Sequence, residues 1–215
     1  MTATATLTDL KATIADDLAR PDLATQIAAA ITEAITHYAT TRFYFNETRT
    51  TTFDTVAAQS TYDVDDDANI PLWLEIDQMY VTDSGGSVFP LGQQSDIVDL
   101  QWLLGNGAAS GRPHSWAYYD QSFVFYPIPD DVYTITPIGH IEIAEPASDS
   151  EASNKWMTEA YELIRCRAKA YLFAHVIHQA EEAGLAQQAE QQALDRLLSK
   201  TARKTGVGRI YSSEF

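Results

Sequence analysis

The hydrophobic period of this chain changes twice, and that double change restricts the fold more than any motif does. Leu7, Leu10, Ile14 and Leu18 recur at spacings of three and four, which predicts an amphipathic helix ended by Pro21. A second helix follows, with Asp22 as its expected N-cap and Ile27, Ala30, Ile31, Ala34, Ile35 and Tyr38 on one apolar face to about Ala39. From Arg42 the period falls to two. Strands are expected at about 47–55, 60–64, 72–82, 87–91, 115–119, 122–126 and 132–143, with turns at Gly85-Gly86, at Asp120-Gln121 and at PIPDD. One helix interrupts them, where Ser95 is the expected cap and Ile97, Leu100, Leu103 and Leu104 share a face. Beyond residue 150 the helical period returns. Ser153 or Asn154 caps a long helix carrying Trp156, Met157, Leu163, Ile164, Tyr171 and Leu172 and ending near Gly184, and a last helix runs from Leu185 to about Lys204.

The class expected is therefore α+β, with an antiparallel β-sandwich or barrel-like module between helical ends. The divisions expected are residues 1–45 (N-terminal helices), 46–150 (the β module with one short helix), 151–205 (a C-terminal helix pair) and 206–215 (a mobile tail rich in glycine). At 215 residues, one composite domain or a core with an inserted module is the natural reading. Burial of roughly 70% of the unfolded surface permits a real core.

Charge follows the same division. Residues 1–150 carry 22 acids and 5 bases, a net of −17, while residues 151–215 carry 8 acids and 9 bases, a net of +1. A chain at −16 overall is not built to grip a phosphate backbone, because that work concentrates Lys and Arg. The N-terminal helix pair likewise has no basic recognition face for DNA. Cys166 is the one cysteine, so no internal disulfide forms. With no leader-like N-terminus and no run of 18 apolar residues, the expectation is a soluble protein of intracellular origin.

Candidate chemistry is sparse. His175, His178 and Glu182 fall at i, i+3 and i+7 of the expected long helix, a spacing that could face a divalent cation but that equally describes a polar or interfacial face. Asp63, Asp65, Asp67 and Asn69 alternate like the start of a calcium loop, yet Ala68 stands where the sharp turn needs glycine and Leu74 where a bidentate Glu is needed. The run Asp63, Asp65, Asp66 and Asp67 is thus read as an acidic loop. Nucleotide, nucleophile-elbow and zinc signatures are absent. Carboxylate pairs such as Asp65 with Asp67, or Glu142 with Glu145, keep a glycan hydrolase as a minor alternative. Trp73, Trp102, Trp116, Tyr118, Tyr119 and Tyr126 keep a carbohydrate-binding or tail-associated module as another. The sharpest surface signal is basic: Arg196, Lys200, Arg203 and Lys204 stripe the end of the last helix and lead to Arg209, Tyr211 and Phe215.

Four stretches in order, LTDLKATIADDLARPDLATQIAAAITEAITHYATTRFYFNETR, TTFDTVAAQSTYDV, GRPHSWAYYDQSFVFYPIPDDVYTITPIGHIE and SNKWMTEAYELIRCRAKAYLF, give a chain that resembles the head-tail connector or adaptor proteins of tailed bacteriophages. The resemblance implies a non-catalytic, cofactor-free virion protein at the head-tail junction, made in the host cytoplasm and without a membrane role. It implies a helical bundle from the two ends of the chain, assembled as a homo-oligomeric ring of about twelve copies beneath the portal protein. A downstream tail or neck protein joins the other side, and genome DNA passes through without specific binding. The portal-facing candidates are then Arg196, Lys200, Arg203, Lys204, Arg209, Tyr211 and Phe215, and the acidic conduit or loop candidates are Asp63, Asp65, Asp66 and Asp67.

Overall fold

Thr6 starts the first helix, α1 (Leu7–Leu18), with a reciprocal cap: its hydroxyl accepts from the Asp9 amide at 3.2 Å, and the Asp9 carboxylate accepts from the Thr6 amide at 2.8 Å. The computed structural model describes residues 5–93 and 96–204, so the tail 206–215 lies outside the described residues. Ala19 closes α1 with a left-handed φ of 49°. A single 3₁₀ turn, Pro21–Leu23, then runs straight into α2 (Ala24–Tyr38). The expected Asp22 cap is corrected for that reason: Asp22 sits inside the turn and pairs with Arg20 at 2.8 Å, while α2 takes no side-chain cap.

The C-terminal helices break where sequence propensity gave no warning. Asn154 caps α4 (Lys155–Glu159) by accepting from the Trp156 amide at 3.0 Å, and α5 (Tyr161–Leu172) follows and passes into a π-helical turn, Phe173–Ile177. His178 takes a left-handed φ of 60° and ends it, and α6 spans Ala180–Lys204. The predicted stop at Gly184 is therefore wrong: that glycine lies within α6, whose inward Ala183, Ala186, Ala193 and Leu197 outweigh one glycine's poor propensity.

Two compact units result. The helical unit comprises residues 1–46 and 143–215, and the β unit comprises 47–142. In the helical unit, α1, α2, α5 and α6 enclose Leu10, Ile14, Ile27, Ile31, Ile35, Ile164, Leu172 and Trp156. Trp156 is fully buried, packs edge-on against Phe43 and Phe45, and donates its indole N–H to the Ile143 carbonyl at 3.0 Å. Helices account for this unit because their apolar faces recur with the helical period and have one another to cover.

The β unit holds β1 (Glu47–Thr48), β2 (Phe53–Asp54), β3 (Thr61–Tyr62), β4 (Trp73–Thr82), β5 (Val88–Gln93), α3 (Ile97–Gly105), β6 (Ser115–Tyr119), β7 (Ser122–Tyr126) and β8 (Thr134–Ile141). Its sheet runs β1-β8-β4-β5-β6-β7-β3, with β2 also on β8. The module expected as an antiparallel β-sandwich or barrel is corrected in its strand pairing. One curled sheet forms a half-barrel, and it is mixed because β5 leaves antiparallel β4 to pair in parallel with β6, Gly92 opposite Ser115 and Gln93 opposite Trp116. Asp120 and Gln121 both carry positive φ, 52° and 60°, the geometry a two-residue hairpin between β6 and β7 needs. Asp96, not Ser95, caps α3, accepting from the Val98 amide at 2.8 Å; Ser95 lies outside the described residues. Phe53, Tyr62, Trp73, Met79, Trp116, Phe123, Phe125 and Ile135 form the core. Gly139 on β8 is required by contact, since a Cβ there would meet the Glu75 carbonyl at 2.1 Å and Ile76 Cα at 2.9 Å.

Candidate functional site

The basic stripe on α6 is partly folded back onto its own unit. Lys200 reaches the Glu159 carboxylate at 2.9 Å, and its ammonium lies 4.6 Å from the Tyr44 ring centre. Lys204 covers the same ring at 3.8 Å, a cation–π geometry. Tyr44 is fixed from two sides, its amide donating to Thr201 Oγ1 at 3.3 Å and its hydroxyl donating to Glu159. Glu159 belongs to α4 and Tyr44 to the loop after α2, so three separate segments meet here. Burial alone would raise the Glu159 pKa, but hydrogen bonds from Tyr44 and Lys200 outweigh it and hold the carboxyl below its ordinary range. Tyr44 moves up through burial and its bond to Glu159, and Lys200 moves up through Tyr44 and Glu159.

Beside this cluster a groove of about 200 Å³ is lined by Glu159, Glu162, Leu163, Arg196, Leu197 and Lys200. Arg196 is exposed at its rim. Arg203 is exposed one turn further on, donating to the Ser199 carbonyl at 3.2 Å. The predicted Arg196, Lys200, Arg203 and Lys204 therefore share one helix end, with the two lysines braced and the two arginines outward. Arg209, Tyr211 and Phe215 lie outside the described residues. Sequence reasoning missed Tyr44 and Glu159. They lie 157 and 41 residues from their α6 partners Thr201 and Lys200, and the only local signal was the aromatic run RFYF.

The acidic loop is built by its own carboxylates. Asp63 accepts from the Asp65 amide at 2.8 Å, Asp67 from the Asn69 amide at 2.8 Å, and Asp66 from both the Asp63 amide at 3.1 Å and the Gln59 amide group at 2.8 Å. Asp66, which the alternating pattern skipped, is the residue that ties the loop together. Buried Tyr62 and Ile70 anchor its two ends.

The remaining candidates are placed plainly. His178 stands at the left-handed break, so His175, His178 and Glu182 do not share one helix, and no three metal-ligating side chains converge among the described residues. Trp73 and Trp116 are buried in the sheet core, while Trp102 and Tyr119 are exposed, so the six aromatics form no single stacking platform. Glu145 accepts from Thr32 at 3.1 Å. Cys166 is buried, and that burial, with Glu162 beside it, pushes its thiol up to about 11, which keeps it protonated and unreactive at neutral pH. No described helix is long and apolar enough to cross a membrane.

The described residues thus bring four cations to one helix end, two of them braced by an aromatic ring and a carboxylate. No curated protein matches this sequence. A family model does: it is described as SU10 adaptor protein and matches residues 5–211, nearly the whole chain and both units. The chain belongs to the SU10 adaptor protein family, in accord with its resemblance to phage head-tail adaptors.

Proposed function

We propose that this protein is the head-to-tail adaptor of a tailed-phage virion, forming a ring of about twelve copies beneath the portal that joins capsid to tail and lets the genome pass. The family match carries this reading. In it, the α6 end bearing Arg196, Lys200, Arg203 and Lys204, continued by Arg209, Tyr211 and Phe215, meets the portal, and the N- and C-terminal helices of each chain form the bundle. The downstream tail or neck protein takes the opposite side.

The charge distribution supports a conduit. The β unit has 15 acids and 2 bases, a net of −13, whereas the helical unit has 15 acids and 12 bases, a net of −3. A ring of such chains sums to on the order of −190, a field that discourages DNA from adhering to the wall while it slides. Asp65 tests this cleanly, because its exposed carboxylate makes no hydrogen bond among the described residues. Asp65→Lys changes roughly two dozen charges around a ring of about twelve copies. Slower genome ejection from otherwise normal particles is the expected outcome. Ejection at the wild-type rate would show that these acids do not face the DNA.

A further inference from the structure

The groove between α5 and α6 has an apolar floor, made by buried Ala160 and Leu163 on one side and buried Ala193 and Leu197 on α6. Two of these four are alanines, and their short side chains leave the space of about 200 Å³. That is smaller than the roughly 300 Å³ at which pockets for small ligands begin, and it suits a single large side chain. The walls differ in charge. Glu159 and Glu162 stand on the side of α4 and α5, while Arg196 and Lys200 stand on α6, where Lys200 is already taken up by Glu159 at 2.9 Å.

The chain supplies an occupant just past the groove. α6 reaches Lys204, seven residues beyond Leu197, which is about 10 Å along a helix. The sequence then reads Thr205-Gly206-Val207-Gly208-Arg209-Ile210-Tyr211. Gly206 stands where a helix ending at Lys204 takes its left-handed stop, the turn that sends a chain back from the helix axis. After Gly208, the three residues Arg209, Ile210 and Tyr211 cover about 10 Å when extended. The reach back therefore matches the distance to the groove, and it delivers the segment's first aromatic residue there. Arg209 arrives with it and meets the two carboxylates of the opposite wall. The segment begins five residues beyond Lys200, which lines the groove, and so short a tether holds it at an effective concentration of millimolar order. The same segment on an untethered copy has no such advantage.

We propose that residues 205–211 fold back along α6 and seat Tyr211 in the α5–α6 groove of their own chain, covering part of the portal-facing segment until the portal takes it. The covering role rests on the adaptor reading; the fold-back does not. The test puts a photo-crosslinking phenylalanine analogue in place of Tyr211 in the full chain. Light and isotopically heavy protein are mixed in equal amounts, irradiated, and their adducts mapped by mass spectrometry. The expected result is an adduct within one chain, light to light and heavy to heavy, on residues 159–163 or 193–200. Adding the portal should lower that adduct roughly tenfold and give one to the portal instead. Mixed light–heavy adducts in the groove would put a neighbour's segment there and overturn the inference, as would adducts only elsewhere or none. An intrachain adduct that persists on a portal-bound chain overturns the covering role. A portal that does not bind the chain overturns the adaptor reading and the covering role with it, while the intrachain adduct still decides the fold-back. As a check free of the probe, deleting residues 205–215 should speed hydrogen exchange over residues 193–200 roughly threefold. Unchanged exchange would contradict the seating.

Discussion

The helical unit and the β unit bury aromatic cores in the same chain, yet they handle charge in opposite ways. In the helical unit acids and bases nearly balance and meet across helices: Arg165 and Lys169 converge on Asp17 at 2.7 and 3.1 Å, Arg167 reaches Glu33 at 3.0 Å, and Lys11 reaches Asp149 at 2.8 Å. The β unit has only Arg49 and Arg112 for 15 acids, and Arg112 stacks 3.5 Å over the Phe89 ring. Most of its acids have no Arg or Lys within the unit to neutralise them. One unit is thus electrostatically closed, while the other projects a field outward.

The comparison breaks first where each unit's packing is removed. Trp156→Ala should destabilise the helical unit by about 4 kcal/mol, from lost burial, the cavity left and a lost indole hydrogen bond, measured by chemical denaturation. Gly139→Ala should cost the β unit about 3 kcal/mol, because the added methyl meets β4 backbone that cannot step aside. With 5-fluorotryptophan as a probe, Trp116 should report the second loss and Trp156 the first. Loss of both signals together in either variant would show that the units do not unfold separately.

Acid should act through the helical unit. Burial works against ionised Asp17, but bonds from Arg165 and Lys169 prevail and lower its pKa, as Tyr44 and Lys200 do for Glu159. A lowered folded pKa means the contribution is complete above the unfolded value, at about pH 5, and is lost as pH falls below about 4. Asp17→Asn should remove about 1 kcal/mol at neutral pH and flatten that acid limb at the Trp156 probe. The smallest effect is salt. Raising ionic strength from low to physiological should stabilise the β unit by about 1 kcal/mol or less by screening repulsion, and should do less for the helical unit.

What could be read in the sequence follows physical locality. The periods of α1, α2, β4, β6 and β7 are local, and those elements stand close to where the spacing predicts them. The parallel β5–β6 pair joins strands separated by α3 and leaves no mark in either strand's own pattern, so the sheet was misread as wholly antiparallel. The stretch RTTTFD alternates like one strand, but only Glu47–Thr48 and Phe53–Asp54 pair with β8, because residues between them leave the ladder. His178 breaks the C-terminal helix in the left-handed region without glycine or proline, so the usual stop signals do not mark the break. For the candidate site, the cations on α6 were visible as a stripe, but Tyr44 and Glu159, which brace two of them, come together only in three dimensions.

The most direct test of the adaptor account is a density map of the chain assembled with its portal or in the virion neck. The account predicts a closed ring of about twelve copies, with the α6 end against the portal and Asp65 on the wall facing the DNA. A chain found as a monomer in the presence of portal, or placed in the particle away from the head-tail junction, would contradict it.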